Sequence, residues 1–596
     1  MQDLKYAARM LRKAPGFTAI AILTLALGIG ANTAVFTVVN SILLRPLAYP
    51  DSDRLANLRT ILPYFPEFRL GDSSANFNDI RAQNHVFDGT AIFREWPMNL
   101  SGDGKPEQED TVRATPDFFP FLGAAPARGR LFTDEELTPG KDGVAILSDA
   151  LWRSRFGANP KAIGRTIRLD AKPYTIIGVM APGFRFNETQ IYVPLALAPK
   201  ERDDRNMHGY SVMVKLKRGV ALKQAQAEMD SFAATFSRQY PDADQGIKFA
   251  LNSLQEDTVG NSRLALLVLM GAVVMVLLIG CANVGSLALA RSLARQKEVA
   301  VRSALGASRG RIVRQFLVES LLLALIGGAV GWTLGMYGVD AFRHLAPADT
   351  PRLEDLRMDR LVFVFTLGVS VLASVLFGLA PALQSSRTNV GGALKESGPF
   401  GLTGTRSGQR MRSALVVLEV SLALVLLASS ALLIKSFSRL THVEPGFRTD
   451  HLLTGRISLP ETKYATPESK AAFLAELMER MNSLPAEGVA ASGAQVLGGS
   501  MMLSTMDVEG VAKDAAGNSP SFETQNVTRG YFSTLQIPIV RGRDFSAGDT
   551  AKSAGVAIVN ESFAHRNWPT TDAIGKRINF NTDPKEKPDL REVVGI

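Results

Sequence analysis

Long apolar runs alternate with long polar stretches along this chain, although its mean hydropathy is only +0.07. A helix needs roughly 20 apolar residues to cross a hydrocarbon core of about 30 Å. Five runs reach that length, so the pattern predicts a membrane α-helical bundle. The predicted spans are residues 17–44, 263–290, 315–343, 361–386 and 413–437. The first run is about twice as long as the apolar part of a signal peptide, and we interpret it as a permanent span.

The polar stretches between the predicted spans have the patterns of mixed α+β domains. Residues 210–216 alternate like a half-buried strand, and residues 221–240 have the spacing of an amphipathic helix. Beyond the last span, residues 452–459 predict a strand and residues 469–484 predict a helix. The order of strand and then helix therefore occurs on both sides of the apolar core of the sequence.

The basic residues are concentrated in three short segments beside the predicted spans. Lys and Arg outnumber Asp and Glu by four to one in residues 1–16, by seven to one in residues 291–314 and by five to one in residues 387–412. This excess is larger than the net charge of +9 for the whole chain, so the remainder is acidic overall. Cytoplasmic loops carry such an excess, and the pI near 9.5 therefore gives no reason to expect nucleic acid as a partner.

The same charge distribution predicts a topology with the N-terminus in the cytoplasm. The three basic segments lie inside, and 387–412 is a linker between spans. The external parts are an α+β domain at 45–262, a short loop at 344–360 and a second α+β domain at 438–596. The single cysteine, Cys281, falls within the second span, so we expect the external domains to be stable without disulfides.

Short motifs recur about 412 residues apart, which predicts an internal duplication. The recurring pairs are Arg-Gly-Arg-Leu-Phe at 128–132 with Arg-Gly-Arg-Asp-Phe at 541–545, Gly-Val-Ala-Ile at 143–146 and 555–558, and Ala-Ile-Gly-Arg at 162–165 with Ala-Ile-Gly-Lys at 573–576. The first span likewise has a counterpart in the fifth. We therefore expect one complete unit and the start of a second, with eight spans in the full protein and a chain that is incomplete at its C-terminus.

The basic segment after the second span is the most informative one. Residues 295–308 have the pattern of a short amphipathic helix, with Leu305 on its apolar stripe and Glu298 placed to pair with Arg302. Gly306 favours a helix stop, and the helix that follows is long enough to project beyond the bilayer as a rigid strut. The segment either transmits motion or rests on anionic lipid, and the residues favour neither interpretation.

This segment, continued by Gln-Phe-Leu-Val-Glu-Ser at 315–320, resembles the coupling region of MacB/FtsX-type ABC transporter permeases. Gly-Ile-Gly-Ala-Asn-Thr-Ala-Val-Phe at 28–36 and the residues at 44–51 resemble the duplicated permeases of this superfamily found in acidobacteria. The resemblance covers essentially the whole chain, which departs from the family pattern by lacking the last three spans and the second coupling loop.

The resemblance implies a multi-pass protein of the bacterial inner membrane. Each unit would have one span, a periplasmic domain and three further spans, and the loop between the second and third spans would dock on an ATPase subunit. The residues that it assigns to ATPase coupling are Arg295, Lys297, Glu298, Arg302, Leu305 and Gly306.

Small residues form one face of the third predicted span. Gly327, Gly331 and Gly335 repeat every four residues, and such a face lets two helices approach closely. The face is either a packing seam that moves or a static contact, and the static contact is slightly favoured.

Two acidic residues lie inside predicted spans, where a charge is costly and usually faces protein. Glu319 is near the inner end of the third span and Glu419 is in the fifth. They are candidates for a proton or gating element. The more frequent arrangement is an ion pair with a nearby arginine such as Arg314 or Arg412.

Catalysis by the chain itself has little support in the sequence. No Gly-x-x-x-x-Gly-Lys-Ser/Thr phosphate loop occurs, so we expect ATP to be used by a partner subunit and no cofactor in this chain. The six histidines form no His-x-x-x-His pair, and we expect neither a metal site nor catalytic residues. The acidic run at 134–136 is typical of a solvated helix start.

These features predict a permease subunit that couples ATP hydrolysis by a partner to conformational change of periplasmic domains, with efflux or release of a substrate. The alternative is a signalling membrane protein that controls a periplasmic enzyme or senses peptides, and a membrane-anchored enzyme is a distant third. The predicted partners are a cytoplasmic ABC ATPase and membrane lipids. A periplasmic adaptor or an outer-membrane channel is left open, and no motif identifies the substrate.

Overall fold

The structure is a computed structural model that forms two compact units, one made of residues 1–48 and 254–442 and the other of residues 49–253 and 443–596. The residues it describes are 2–63, 66–102, 105–295, 308–347, 350, 352–386, 406–460, 463–493, 502–513, 519–582 and 587–596.

The α-helices of the described residues are numbered in chain order. They are α1 (Gln2–Arg12), α2 (Pro15–Val39), α3 (Ser74–Gln83), α4 (Phe118–Phe121), α5 (Asp149–Phe156), α6 (Pro199–Arg202), α7 (Leu222–Gln239), α8 (Pro241–Asp244), α9 (Leu254–Ala294), α10 (Arg309–Leu345), α11 (Arg360–Ser386), α12 (Arg406–Thr441), α13 (Pro467–Asn482), α14 (Tyr531–Thr534) and α15 (Glu561–Asn567).

The strands follow the same numbering rule. They are β1 (Leu55–Ile61), β2 (Phe87–Glu95), β3 (Met98–Ser101), β4 (Glu107–Glu109), β5 (Thr111–Ala114), β6 (Pro126–Gly129), β7 (Val144–Leu147), β8 (Thr166–Leu169), β9 (Lys172–Met180), β10 (Ile191–Pro194), β11 (Ser211–Leu216), β12 (Lys248–Ser253), β13 (Met502–Thr505), β14 (Asp507–Val508), β15 (Ser521–Thr524), β16 (Gly555–Ile558), β17 (Arg577–Asn579) and β18 (Leu590–Gly595).

The first unit is helical, and it contains five helical stretches that are long and apolar enough to cross a membrane. They are Pro15–Leu44, Ser262–Ser292, Arg309–Leu345, Arg360–Leu379 and Arg412–Thr441. The five apolar spans predicted from hydropathy are therefore present as helices. Their apolar side chains supply the lipid-facing surface, and a helix satisfies its backbone hydrogen bonds internally, as a membrane requires.

Local signals set the ends of these helices. Pro15 stands at the start of α2, where a missing N–H costs nothing. At its other end α2 widens into a π-helical turn at Asn40–Leu44, closed by the Arg45 N–H, which donates to the Asn40 carbonyl over 2.8 Å. Ser308 is extended immediately before α10, and its side chain makes no capping hydrogen bond.

Helices α2, α9, α10 and α11 share an apolar core. Its buried side chains include Leu25, Ile29, Leu277, Leu323 and Phe377. The apolar stretch of α12 has no buried residues within the described structure. These four helices therefore supply most of this core, to which α1 also contributes Leu11.

The first domain of the second unit is built on one large sheet. Its strands run in the order β12-β1-β11-β2-β5-β10-β7-β9-β8-β3-β4, and β6 pairs with β9. Helix α7 covers one end of the sheet with Met229 and Phe236, and α5 covers the other with Leu151 and Trp152. The strand and the helix predicted between residues 210 and 240 are β11 and α7.

The second domain of this unit contains a two-stranded sheet, β13-β15, and a four-stranded sheet in the order β14-β17-β18-β16. Trp568, Ile578 and Val593 form its core beneath α15. The predicted helix at 469–484 is α13. The strand predicted at 452–459 is wrong, because this segment pairs with no strand among the described residues, and an extended segment needs a neighbour for its hydrogen bonds.

The two domains contain the same four-stranded arrangement. In the first, β3 pairs with β8 and β8 with β9 in antiparallel fashion, while β7 pairs parallel to β9. In the second, β14, β17, β18 and β16 have the same pairings in the same order. Both parallel pairs also have a register shift after their second or third residue.

Candidate functional site

The predicted coupling residues lie at one end of the helical unit. Arg295 directly follows the last residue of α9 and is described by the structure. The others, Lys297, Glu298, Arg302, Leu305 and Gly306, lie outside the described residues. Their assignment to ATPase coupling therefore stays a prediction.

Arg295 forms an ion pair with Glu319, an acidic residue within α10. The Arg295 Nη1 atom lies 3.0 Å from Glu319 Oε2, and Nη2 lies 3.4 Å from Oε1. The two side chains are only 11% and 9% exposed. A guanidinium facing a carboxylate with two nitrogens is a geometrically specific pair, so the ends of α9 and α10 are held in one relative position.

Two further side chains complete the surroundings of this ion pair. Gln315, one turn before Glu319 on α10, donates from Nε2 to Glu319 Oε1 over 3.3 Å. The Tyr6 hydroxyl of α1 accepts from Arg295 Nη2 over 3.4 Å. Glu319 therefore does pair with an arginine, but the partner is Arg295 rather than the Arg314 or Arg412 expected from the sequence.

The N-terminal helix α1 is fixed to the same end of the bundle. Arg291, one turn before Arg295 on α9, donates from Nη2 to the Met10 carbonyl over 2.7 Å. Its guanidinium also lies over the Phe17 ring, 4.8 Å from the ring centroid. Ala7 and Leu11 of α1 are buried. Arg291 on α9 and Arg295 just after the end of α9 thus contact α1, α2 and α10.

A cleft lies beside these groups, at the end of the bundle where α9 ends. Most of its lining is apolar, and both arginines and Glu319 contribute to it. The lining residues are Leu11, Phe17, Ala288, Arg291, Ser292, Arg295, Phe316, Glu319, Ser320, Leu323, Phe377, Gly378 and Pro381.

The predicted glycine face of the third span lies against α2. Gly327, Gly331 and Gly335 are all buried. A Cβ atom added to Gly331 would lie 3.0 Å from the Ala26 carbonyl oxygen and 3.0 Å from the Gly30 nitrogen. The two helix backbones are therefore so close that only glycine fits at this position without displacement.

Glu419, the second predicted intramembrane acid, lies on α12 and is partly exposed. Within the part of the chain that the structure describes, no ion pair of Glu419 is present, so the interaction expected with Arg412 is not found there. Its role as a gating or proton-carrying group stays a prediction.

The acidic run at 134–136 has a structural role in the first external domain. Glu136 accepts a hydrogen bond from the Thr133 N–H over 2.6 Å and pairs with Arg130. Burial is the largest single influence and raises the pKa of Glu136. The hydrogen bonds and the charge of Arg130 together outweigh it, so the pKa is lowered. The run starts a short helical turn, as predicted, but it is not solvated throughout as expected, because Glu136 is buried.

A buried polar cluster in the same domain was missed by sequence reasoning. Asp72 is fully buried; its Oδ1 accepts from Thr60 Oγ1 over 3.0 Å and from the Ser73 N–H over 2.8 Å. Its Oδ2 has no hydrogen-bond partner among the described residues. Burial raises the pKa of Asp72 to about 7. Nothing in the sequence Gly-Asp-Ser-Ser distinguishes this acid from an exposed residue at a helix start.

His208 is a second titratable group of interest in this domain, and its side chain is half-buried. Its Nδ1 atom has no hydrogen-bond partner within the described structure. Burial lowers the pKa of the His208 imidazole to about 4. The described residues contain no group of three or more His, Cys, Asp or Glu side chains that could hold a metal ion.

Two family models match the chain. The model of the MacB-like periplasmic core domain matches residues 18–232 and again residues 413–596. The model of the FtsX-like permease C-terminal region matches residues 270–390.

Several curated proteins are similar in sequence to this chain. The Macrolide export ATP-binding/permease protein MacB of Chromobacterium violaceum is 28% identical over 276 residues, which are 46% of this chain and 41% of that protein. MacB 1 of Aeromonas hydrophila is 30% identical over 274 residues, which are 45% of this chain and 41% of that protein. This chain thus spans about two fifths of the length of these relatives.

Two solved structures also resemble parts of the chain. The periplasmic region of MacB from Actinobacillus actinomycetemcomitans matches 38% of this chain and 97% of its own, at 14% identity and a TM-score of 0.29. A domain of a permease protein from Porphyromonas gingivalis matches 35% of this chain and 93% of its own, at 16% identity and a TM-score of 0.29.

The family models together cover most of the chain, and each match to the periplasmic core model begins within an apolar helix, α2 or α12, and continues into the sheet domain that follows. An FtsX-like helical region lies between two regions that match the MacB-like periplasmic core domain. This chain therefore belongs to the MacB/FtsX-like family of ABC transporter permeases.

Proposed function

We propose that this chain is a permease subunit that converts ATP hydrolysis by a separate cytoplasmic ATPase into conformational change of its periplasmic domains. The N-terminus and the segments 291–314 and 387–412 lie in the cytoplasm of this arrangement, and the domains at 45–262 and 438–596 lie in the periplasm. The observed concentration of Lys and Arg in the three cytoplasmic segments supports this orientation.

The ion pair between Arg295 and Glu319 is the observation that carries the proposal. Arg295 is the first residue of the predicted docking segment and the one predicted coupling residue that the structure describes, and Glu319 lies within α10. A force applied to that segment therefore reaches α10 through a specific, largely buried pair as well as through the covalent chain. The contacts of Arg291 with α1 and α2 extend the same connection to two more helices.

The internal duplication is part of this proposal. Its support is the recurrence of one family model at both ends of the chain and the identical strand order of the two four-stranded sheets. The complete permease would then have eight membrane spans and two ATPase-docking loops. The Gly327–Gly335 face would be the contact along which α2 and α10 move.

The expelled or released substrate is not specified by this chain. The names of the curated relatives refer to macrolide export, and efflux is therefore the direction that we propose. Membrane lipids surround the spans, and a periplasmic adaptor or an outer-membrane channel would complete an export path.

The test is purification of the full chain from native membranes in mild detergent, followed by identification of bound proteins. We expect an ABC ATPase to co-purify with the parent chain. Charge reversal by Glu298→Lys or Arg302→Glu should abolish that association. Arg309→Glu, a reversal of an exposed residue at the start of α10, is the matched control and should leave it intact.

Two results would contradict the proposal. Unchanged ATPase binding in both reversal variants would exclude 295–308 as the docking segment. Co-purification of a periplasmic enzyme without any ATPase would favour the signalling alternative.

A further inference from the structure

The outer end of the helical unit contains a connection that the coupling proposal does not use. Helix α2 ends there in the π-helical turn at Asn40–Leu44, and the chain then becomes extended at Arg45. The last carbonyl groups of a helix have no partner within the helix, and π-helical turns are rare and frequent at functional sites. The residues that satisfy these carbonyls therefore define how the end of α2 is held.

Arg352, in the loop between α10 and α11, donates to one carbonyl of this turn and to the carbonyls of the two residues that follow it. Its Nη1 donates to the Arg45 carbonyl over 2.7 Å and to the Ile42 carbonyl over 3.4 Å, and its Nη2 donates to the Pro46 carbonyl over 3.1 Å. Nε donates to Asp355 Oδ2 over 3.4 Å. The Arg352 side chain is only 8% exposed. One guanidinium thus binds three carbonyls of the segment by which α2 leaves the bundle.

The backbone of Arg352 is itself unusual. Its φ angle is +58°, in the left-handed region, which costs a residue with a Cβ roughly 1–2 kcal/mol. Such strain persists only where the surrounding contacts determine the conformation, and it is concentrated at functional sites. The conformation places the guanidinium against the end of α2.

Neighbouring contacts join two more helices to the same point. Asn40 Nδ2 donates to Asp359 Oδ2 over 3.2 Å, and Asp359 Oδ1 accepts from the Val362 N–H at the start of α11 over 3.0 Å. Gln255, at the start of α9, donates to the Leu43 carbonyl over 2.6 Å. The end of α2 is therefore hydrogen-bonded to the α10–α11 loop, to the N-terminus of α11 and to α9.

We propose that Arg352 is the positioning residue through which movement of α10 and α11 reaches the exit of α2. That exit is the covalent path into residues 49–253, so a displaced α10–α11 loop would pull Arg45 and Pro46 directly. The inference rests on the proposed coupling function and assigns it an outer contact, opposite the inner pair of Arg295 and Glu319.

The chemistry of arginine explains why this residue type suits the task. Its planar fork holds several donors in fixed directions, whereas a lysine ammonium is a single flexible point charge. The positive charge also complements the partial negative charge at the C-terminal end of α2. Arg352→Lys therefore keeps the positive charge but cannot form hydrogen bonds to all three carbonyls at once.

The first measurement uses the full chain alone in lipid nanodiscs and follows amide hydrogen exchange in peptides covering residues 40–48. Arg352→Lys and Arg352→Gly should each exchange about tenfold faster there, as expected when charged hydrogen bonds are lost. The glycine variant separates the side chain from the strained backbone, since glycine adopts positive φ freely. Arg357→Lys is the matched control, because Arg357 is an exposed residue of the same loop.

The second measurement uses the chain together with the ATPase that co-purifies with it. ATP should change hydrogen exchange in residues 49–253 of the parent and of Arg357→Lys. In Arg352→Lys we expect ATPase binding and ATP hydrolysis to remain, while the ATP-dependent change in residues 49–253 is lost. A merely structural role would lower binding, hydrolysis and the exchange change together.

The possible results distinguish a failure of the Arg352 contact from a failure of the proposed ATPase coupling. Unchanged exchange at 40–48 in both Arg352 variants would overturn the contact itself. Faster exchange at 40–48 together with an unchanged ATP-dependent change in hydrogen exchange of residues 49–253 would overturn the role of Arg352 in transmission. Failure of any ATPase to co-purify with the parent chain would overturn the coupling function and the transmitting role, while the exchange at 40–48 would still decide whether Arg352 holds α2.

Discussion

Arg295, directly after α9, and Glu319, within α10, form an ion pair with 3.0 Å between Nη1 and Oε2. They are 24 positions apart in sequence, and the segment between them includes the predicted ATPase-docking residues. The pair therefore closes a loop whose two ends must move together if the docking segment moves.

Breaking this pair should destabilise the helical unit. Glu319→Gln leaves the Arg295 guanidinium without its carboxylate at a site where both side chains are nearly buried. We expect a loss of roughly 1–3 kcal/mol, the cost of a buried polar group that loses its partner. Thermal unfolding of the detergent-solubilised chain measures this as a lower Tm.

Two further variants test whether the pair itself is responsible. Arg309→Ala removes an exposed arginine near the same end of α10 and should leave Tm unchanged. The exchange Arg295→Glu with Glu319→Arg should recover part of the loss seen in each single reversal. Additive losses in the double variant would contradict a direct interaction.

Hydropathy and charge were sufficient to predict the helical part of this fold because both are local properties. A run of about 20 apolar residues identifies a span without knowledge of its neighbours, and the four-residue period of Gly327, Gly331 and Gly335 identifies one helix face. The partner of Glu319 could not be predicted in this way. Arg295, Arg314 and Arg412 all lie in basic segments beside the predicted spans, and only the tertiary structure, in which Arg295 faces Glu319, selects the first.

Local sequence patterns were likewise insufficient to predict the tertiary contacts of the sheet domains. The alternation at 210–216 predicted β11, but the burial of Asp72 depends on strands and helices from distant parts of the sequence. The segment at 452–459 shows the opposite error, since its pattern suits a strand and no strand lies beside it among the described residues. A strand is stable only with a partner, which a local pattern does not reveal.

The contact between α2 and α10 should tolerate no added methyl group at its centre. Gly331→Ala would place a Cβ 3.0 Å from both the Ala26 carbonyl oxygen and the Gly30 nitrogen. Because both neighbours are backbone atoms, the helices must separate, at a cost of roughly 1–3 kcal/mol. Gly368→Ala on α11 is the matched control, because nothing lies within 4 Å of its added Cβ. Equal Tm values for the two variants would contradict the close contact.

Asp72 and His208 should affect the pH dependence of stability in opposite directions. The folded pKa of Asp72 is about 7, above its ordinary 3.8, so the folded state retains a proton and this contribution to stability falls as pH rises from about 4 to about 7. The folded pKa of His208 is about 4, below its ordinary 6.5, so its contribution rises over about pH 4 to 6.5. The two effects largely cancel in the parent.

Single variants should reveal each effect. Relative to the parent, Asp72→Asn should gain stability with rising pH and His208→Gln should lose it, each by up to roughly 1.4 kcal/mol per pH unit in its window. Urea unfolding of the full chain in detergent, followed by fluorescence at several pH values, gives both differences. Parallel pH profiles for parent and variants would show that these groups are not buried in the folded state.

Gly129, the last residue of β6, and Gly542, which forms an isolated β-bridge with Gly595, provide a test of the proposed duplication. Their φ angles are +76° and +81°. A Cβ added at Gly129 would lie 2.0 Å from the Ile177 carbonyl oxygen, and one added at Gly542 would lie 2.2 Å from that of Val594. The following N–H groups, of Arg130 and Arg543, donate to these same carbonyls over 3.0 and 2.8 Å.

Alanine at either glycine should therefore destabilise its own domain by at least about 2 kcal/mol, because a clash with backbone is added to the strain of positive φ. Gly164 and Gly575 are the matched controls: they also have positive φ, but nothing lies within 4 Å of an added Cβ. Their alanine variants should lose only about 1 kcal/mol. Hydrogen exchange of β9 and β18 in the full chain measures each domain separately. Gly542→Ala could destabilise its domain as little as Gly575→Ala does, while Gly129→Ala destabilises its own domain strongly. The two glycine positions would then not be equivalent, and the proposed duplication would lose its most specific structural support.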